Sequence, residues 1–236
     1  MMDCYYNNVG VIMNNTQIVI AAYNEEKSIS SVITDLYTYS YHNVIVVDDC
    51  SRDKTAEAAE HSGATVLRHI INLGQGAALK TGIDYAVSKG AEIIVTFDAD
   101  GQHMAKDIPK LIRAIERGYD AALGSRFLGK AENIGIIRKI FLKGGALAFR
   151  IFYNVKVTDS HNGLRALSRR AAKRINMTCN RMEHASEIIE EIGKKKIKYK
   201  EVPVTIRYTD YSMKKGQSTW NGFRILFKMV VKFLGG

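Results

Sequence analysis

The chain has 236 residues, enough for one substantial hydrophobic core with an appendage rather than two full domains. Its net charge of +10 hides a division: residues 1–128 carry 11 Lys+Arg against 16 Asp+Glu, net −5, whereas residues 129–236 carry 23 against 8, net +15. Cys4, Cys50 and Cys179 are widely spaced with no CxxC pair, which argues against a zinc site or a disulfide framework and for a reduced, cytoplasmic setting.

No basic start followed by an apolar run marks a signal peptide, and no uncharged apolar window reaches the roughly 18 residues of a membrane span. Residues 1–15 are polar, rich in Asn and Tyr, and read as a loosely held extension. Thr16 to Ala22 (TQIVIAA) reads as a buried strand running into Tyr23, Asn24, Glu25 and Glu26. Ser28 then caps a helix to about Tyr39. Val44 to Asp48 (VIVVD) is a second strand that delivers Asp48 and Asp49, with Ser51 and Asp53 ahead of a helix over 54–61. A short strand over 64–68 and a glycine-bearing turn over 72–76 lead into a helix to about Lys89.

Next comes AEIIVTFDADGQH, residues 91–103, in which an apolar run carries Asp98 and Asp100 to an abrupt stop at Gly101. Two aspartates one residue apart cannot both point into a sheet, so the strand ends there, with the carboxylates in solvent or on a hard cation such as Mg²⁺ or Mn²⁺. The plainer alternative is that they cap the helix beginning near Lys106 or sit in a turn. An EF-hand is excluded, since Gly101 falls at loop position four and no glutamate stands at twelve.

Short apolar runs alternating with helices describe an α/β fold with a mostly parallel sheet covered on both faces, and ligands then sit beyond the carboxyl ends of the strands. Three such ends carry acid: Glu25, Asp48 with Asp49, and Asp98 with Asp100. A dinucleotide fingerprint is excluded, because Gly74-Gln75-Gly76-Ala77-Ala78-Leu79 lacks the third glycine and follows the third strand. A P-loop fails because Leu79, not glycine, precedes Lys80 and Thr81.

AYNEE (22–26), VVDDCSRDKT (46–55), NLGQGAALKTG (72–82), FDADGQH (97–103), LGSR (123–126) and DSHNGLRA (159–166) stand in the order seen in family 2 glycosyltransferases. Over about residues 16–218 the chain resembles the branch that includes dolichyl-phosphate mannose synthase and other polyprenyl-phosphate glycosyltransferases. The resemblance implies a GT-A fold and an inverting, metal-dependent transfer of a hexose from a nucleotide sugar, of the GDP-mannose or UDP-glucose type, to a polyprenyl phosphate. By the same resemblance Ala21, Tyr23, Glu25 and Val47 line the base and ribose, Asp49 accepts from the base N–H, and Ala99 joins the donor contacts. Asp98 and Asp100 take the DXD positions, and Gln102 joins the Mg²⁺ or Mn²⁺ shell. Arg126 and Arg165, with Arg207 and Lys215, are candidates for contact with donor or acceptor phosphate, Arg126 with a catalytic role, while Ser125, Asp159 and Arg165 also fall on the acceptor side. Each cation also reads as a solvated surface charge.

A sugar hydroxyl acceptor would need a carboxylate base, for which Asp159, Glu183 and Glu187 are the acids in the right part of the chain. A phosphate monoester, with a second pKa of about 6, needs none, and no dedicated base is expected. His103 and His161 read as hydrogen-bond fillers, and Gly74 and Gly76 as turn residues near the ligand or as a plain helix start.

In the basic half, Ile136 to Tyr153 puts Ile136, Ile140, Leu147 and Ile151 on one stripe beside Lys139, Lys143 and Arg150. Trp220 to Leu234 sets Arg224, Lys228 and Lys232 against Phe223, Phe227, Val230 and Leu234. Both read as helices in a membrane interface or as core-facing amphipathic helices. The expected partners are therefore a nucleotide sugar, a polyprenyl phosphate, the cytoplasmic membrane surface and a separate membrane-protein partner, with residues 219–236 as a C-terminal amphipathic helix. Leu164 to Leu167 reads as a strand, 168–175 and 183–194 as helices, and 197–208 as a strand or strand pair. The lysine run over 194–200 lacks interleaved aromatics beyond Tyr199 and reads as a solvated helix end, not a nucleic-acid patch. Transfer to a saccharide hydroxyl and a non-catalytic basic binding module are the competing readings.

Overall fold

The computed structural model describes residues 15–132 and 136–208. Residues 1–14, the predicted helix over 219–236, Lys214 and Lys215 lie outside the described residues.

Strands β1 (Thr16–Ala22), β2 (Val44–Asp48), β3 (Thr65–Arg68), β4 (Ile93–Asp98), β5 (Ala121–Glu132), β6 (Arg165–Ser168) and β7 (Tyr199–Arg207) form one sheet in the order β3-β2-β1-β4-β6-β5-β7. β1 pairs in parallel with both β2 and β4, whereas β6 runs antiparallel to β4 and β5. The chain therefore leaves β1 toward one edge and returns on its other side with β4. That reversal opens a crevice at the carboxyl ends of β1 and β4, where parallel α/β sheets take their ligands.

The helices are α1 (Ile29–Thr38), α2 (Thr55–His61), α3 (Gln75–Ser88), α4 (Ile108–Glu116), α5 (Ile136–Tyr153), α6 (Arg169–Arg174) and α7 (His184–Lys194). Ile18 and Ile20 of β1, with Val44, Val46, Val95 and Phe97, pack against α1 and α4. The alternate positions Val19, Ile45, Val47 and Ile94 pack against α3, α7 and Phe149 of α5. Burial on both faces explains why these strands read as unbroken apolar runs. Gly82 lets α3 lie close on the sheet, since a Cβ there would meet Val47 at 3.1 Å.

Two departures from the sequence expectation shape the site. β5 was legible only as LGSR, because its two glycines and a register break hide any alternation: pairing with β7 passes from Ser125↔Pro203 to Lys130↔Thr205. The bulge re-aims the side chain of Arg126 inward. The sheet also contains one reversed strand, β6, among six that run together. The reversal brings the 159–164 loop back over the end of β4.

Candidate active site

Asp98 is the last residue of β4 and its Cα pairs with Ala21 of β1, so the acid stands at the mouth of the crevice. Asp100 follows two residues on, before the left-handed Gly101 (φ 74°) turns the chain away. His103 Nε2 lies 2.8 Å from Asp98 Oδ2. Burial pushes the Asp98 carboxyl upward, but the adjoining His103 ring, with His184 and Arg165 behind it, holds it below the ordinary carboxylate range. Asp100 behaves oppositely: burial, then the Asp98 charge and Glu25, push it up to about 6. Its hydrogen-bond donors are the backbone N–H of Gln102 at 3.1 Å and the Gln102 amide at 2.7 Å.

Neither carboxylate is a helix cap. A 3-10 turn (Ala105–Asp107) separates them from α4, and Asp107, buried, accepts instead from Thr205 N–H at 2.7 Å. Among the described residues no group of three or more His, Cys, Asp or Glu side chains is set to enclose a metal. Two carboxylates and an amide oxygen suit an octahedral oxygen-seeking cation that completes its shell with substrate phosphate and water. The donor set thus fits Mg²⁺ or Mn²⁺ and does not fit zinc.

The proposed donor contacts spread over three strand ends. Tyr23 is partly exposed beyond β1, and Glu25 is buried beside it with Oε2 accepting from Ser28 Oγ at 2.7 Å. Ala21 is half-buried, while the side chains of Val47 and Ala99 lie in the core, leaving only backbone to meet a ligand at those two positions. Asp49 is occupied: its carboxylate accepts from Leu73 N–H at 2.9 Å and Gly74 N–H at 2.7 Å, with His69 Nδ1 at 2.8 Å. It fastens the 69–74 loop, with Oδ1 accepting two of these bonds and Oδ2 one, which leaves Oδ2 with a further acceptor site. Gly74 and Gly76 serve the 179–181 segment: Ala77 donates to Asn180 O at 3.1 Å, and a Cβ on Gly74 would reach that oxygen at 2.5 Å.

Arg126 is held on three sides, through Nε, Nη1 and Nη2. Its Nε donates to Asp159 Oδ2 at 2.6 Å, Nη2 to His161 O at 3.0 Å, and Nη1 to the Tyr208 hydroxyl. Ser125, buried beneath it, shares a 2.7 Å hydrogen bond with Thr158 Oγ1. These residues tie β5, the 158–162 loop and the end of β7 together. Because Arg126 is buried, phosphate contact through its remaining N–H groups requires movement of the surrounding loop. Arg207 is exposed, its backbone N–H donating to Gln102 O at 3.0 Å, which fixes the end of β7 beside the acidic pair.

Arg165 differs. It is buried, and its guanidinium donates to Asn162 O at 2.9 Å and Ala185 O at 3.1 Å, with no carboxylate within salt-bridge range among the described residues. Burial lowers its pKa to about 10, against the pull of Asp98 and Asp159, so it stays charged at neutral pH. Burial, with Arg165 nearby, lowers His161 to about 4; burial also takes His184 to about 4, so both rings are neutral. A cation among neutral rings and carbonyls, offset only at longer range by Asp98 and Asp159, places positive potential behind Asp98.

Of the three acids read as possible bases, Asp159 is held by Arg126, and Glu187 accepts from Thr178 N–H at 3.0 Å, Cys179 N–H at 2.9 Å and the Thr178 hydroxyl. Glu183 precedes α7 and is half-buried. His103 fills a hydrogen bond as read from the sequence, and its partner is Asp98. Missed was the approach of Gly163, in the NGLR stretch, to the Asp98 carboxylate, which no local sequence signal marks.

On α5, Gly145, Ala146 and Phe149 face the protein, whereas Leu147 and Ile151 are 57% and 66% exposed with Lys143 and Arg150 beside them. The side chains of Ile136, Lys139 and Ile140 lie outside the described residues. No helix among the described residues is long and apolar enough to cross a membrane.

The family model for glycosyl transferase family 2 matches residues 17–175. A UDP-N-acetylglucosamine–dolichyl-phosphate N-acetylglucosaminyltransferase of Methanococcus voltae is 35% identical over 92% of this chain and 96% of its own length. A dolichol-phosphate mannosyltransferase of Pyrococcus furiosus is 30% identical over 90% of this chain, which spans 63% of that protein. Glucosyl-3-phosphoglycerate synthase from Mycobacterium tuberculosis, solved with Mn²⁺ and UDP-glucose, superposes with a TM-score of 0.70 at 18% identity over 96% of this chain and 83% of that one. Another structure of that enzyme holds Mg²⁺ and UDP. The mixed sheet with its acidic switch point, the family match and these relatives together identify the chain as a GT-A glycosyltransferase belonging to glycosyl transferase family 2.

Proposed function

We propose that this chain transfers a hexose from a nucleoside diphosphate sugar to a polyprenyl phosphate, inverting the anomeric carbon and using Mg²⁺ or Mn²⁺, while resting on the cytoplasmic face of a membrane. The observation that carries this reading is the meeting, at the β1/β4 switch point, of the Asp98–Asp100 pair with the carboxylate-free cation Arg165 behind it. Held by Asp98 and Asp100, the divalent ion would neutralise charge gathering on the leaving diphosphate.

The protein's own residues supply the rest. Tyr23 offers a flat face to the base and Glu25 a carboxylate to the ribose, which fixes the donor across the crevice. Arg165 supplies positive potential where an acceptor phosphate would approach, a preorganised charge that costs no rearrangement as the reaction proceeds. Asp159 and Glu187 are committed to Arg126 and to the 178–179 backbone, so they are poor bases. A phosphate acceptor needs none, being largely dianionic at neutral pH with a second pKa of about 6. Attack by its oxygen on the face opposite the diphosphate is a single displacement, and a single displacement inverts. The exposed Leu147 and Ile151, flanked by Lys143 and Arg150, suit a helix lying in an anionic lipid interface, where each cation adds about 1 kcal/mol.

The test is incubation with radiolabelled GDP-mannose, UDP-glucose and UDP-N-acetylglucosamine, Mg²⁺ or Mn²⁺, and a short polyprenyl phosphate. The expected product is an acid-labile glycosyl phosphate on the lipid, absent when the cation is chelated. Label found only on an added oligosaccharide, or turnover that survives chelation, overturns the proposal.

A further inference from the structure

We propose that His103 and Gly163 are positioning residues that set the Asp98 carboxylate in its working direction; this rests on the metal-dependent reading above. The ring of His103 is buried and stands edge-on to Phe97, with centroids 5.4 Å apart and planes at 67°. Its Nε2 lies 2.8 Å from Asp98 Oδ2, while its Nδ1 is buried without a partner among the described residues. A buried polar atom left unsatisfied costs about 1–3 kcal/mol, a cost that a phenylalanine or leucine of similar bulk would avoid. What only the imidazole provides here is the bond to Asp98.

Gly163 forms the opposite wall. A Cβ built on it would collide with both carboxylate oxygens of Asp98, and its three nearest atoms all belong to that one side chain. The backbone at Gly163 is not left-handed, so alanine is conformationally permitted there. The wall is itself fixed, because Thr96 Oγ1, two residues before Asp98, donates to Gly163 O at 2.6 Å. Asp98 is thus held by the ring at Oδ2 and met by bare backbone at Gly163, with Gln75 Nε2 a long 3.5 Å from Oδ1. Outer partners of this kind decide where a ligating carboxylate points.

The geometry predicts an unusual signature for Gly163→Ala. The colliding atoms are the end of one side chain rather than backbone, so the fold yields by turning Asp98 away from His103 and keeps most of its stability. Mn²⁺ binding would be followed by electron paramagnetic resonance, with UDP and separately with GDP, for the wild-type chain, Gly163→Ala, His103→Phe and His103→Gln, alongside thermal unfolding. Gly163→Ala and His103→Phe are expected to lose about 10–100-fold in Mn²⁺ affinity while unfolding within a few degrees of wild type. His103→Gln, which restores an N–H near the position of Nε2, is expected to recover most of the loss. Wild-type affinity in both disabled variants overturns the positioning role alone, as does a loss that tracks unfolding or a His103→Gln no better than His103→Phe. Failure of the wild-type chain to bind Mn²⁺ with either nucleotide overturns the metal reading and this inference with it.

Discussion

Asp159 grips Arg126 twice with one oxygen: Oδ2 accepts the backbone N–H at 3.0 Å and the side-chain Nε–H at 2.6 Å, both partners buried. The pair is a strut between β5 and the 158–162 loop, and breaking a buried pair strands the surviving charge. Asp159→Ala should therefore cost about 3–5 kcal/mol in urea unfolding. Arg126→Met, which removes the stranded charge and keeps much of the bulk, combined with Asp159→Ala should recover part of it. An Asp159→Ala protein of wild-type stability that lacks only activity would return Asp159 to the role of base.

Asp100 predicts a pH dependence in the metal-free protein. Its folded pKa, about 6, is raised by burial and then by the Asp98 charge above the ordinary 3.8. The favourable contribution is fully present below about pH 3.8 and is lost as pH rises through 6. Asp100→Asn, a permanent mimic of the neutral form, should unfold a few degrees higher than wild type at pH 8 with chelator present, the two converging near pH 4. One pKa unit is about 1.4 kcal/mol, and partial exposure reduces the gain to about 1–2 kcal/mol. A lower unfolding temperature for Asp100→Asn at pH 8 would contradict the repulsion.

The fold was legible because both sheet faces are covered, so apolar runs between acidic stops marked β1, β2 and β4 directly. The acids at those stops were legible as a group, yet their individual duties were not. Asp49 and Asp98 look alike in sequence, each closing an apolar run, but Asp49 is filled by the Leu73 and Gly74 amides whereas Asp98 faces the crevice. That difference arises from residues more than twenty positions away. Arg126 and Arg165 were similarly indistinguishable as cations in short motifs. The bulge in β5 turns Arg126 onto Asp159, and the reversed β6 sets Arg165 behind the β4 end, neither of which any local pattern encodes.

Leu147 and Ile151 are one helical turn apart on the outward side of α5, opposite the buried Phe149. Replacing both by glutamate should abolish flotation with anionic vesicles and leave thermal unfolding within about 0.5 kcal/mol of wild type, since exposed positions carry little of the fold. Retained flotation would assign membrane contact to another surface.

Arg165 offers the sharpest separation of stability from function. A buried guanidinium bonded only to the carbonyls of Asn162 and Ala185 gives the folded protein hydrogen bonds but no ion pair among the described residues, and its desolvation opposes folding. Arg165→Met fills similar volume without the charge, so its unfolding free energy should stay within about 1–2 kcal/mol of wild type, in either direction. Turnover should fall about 100-fold or more through loss of acceptor phosphate stabilisation, seen as a raised KM for polyprenyl phosphate or a lowered kcat. Binding of the nucleotide donor, measured without acceptor, should change by no more than about threefold, because the tie between Arg165 and Asp98 is a field rather than a bond. If donor affinity collapsed while KM for the acceptor held, Arg165 would belong to the diphosphate instead, and the acceptor phosphate would have to be sought elsewhere on the +15 half of the chain.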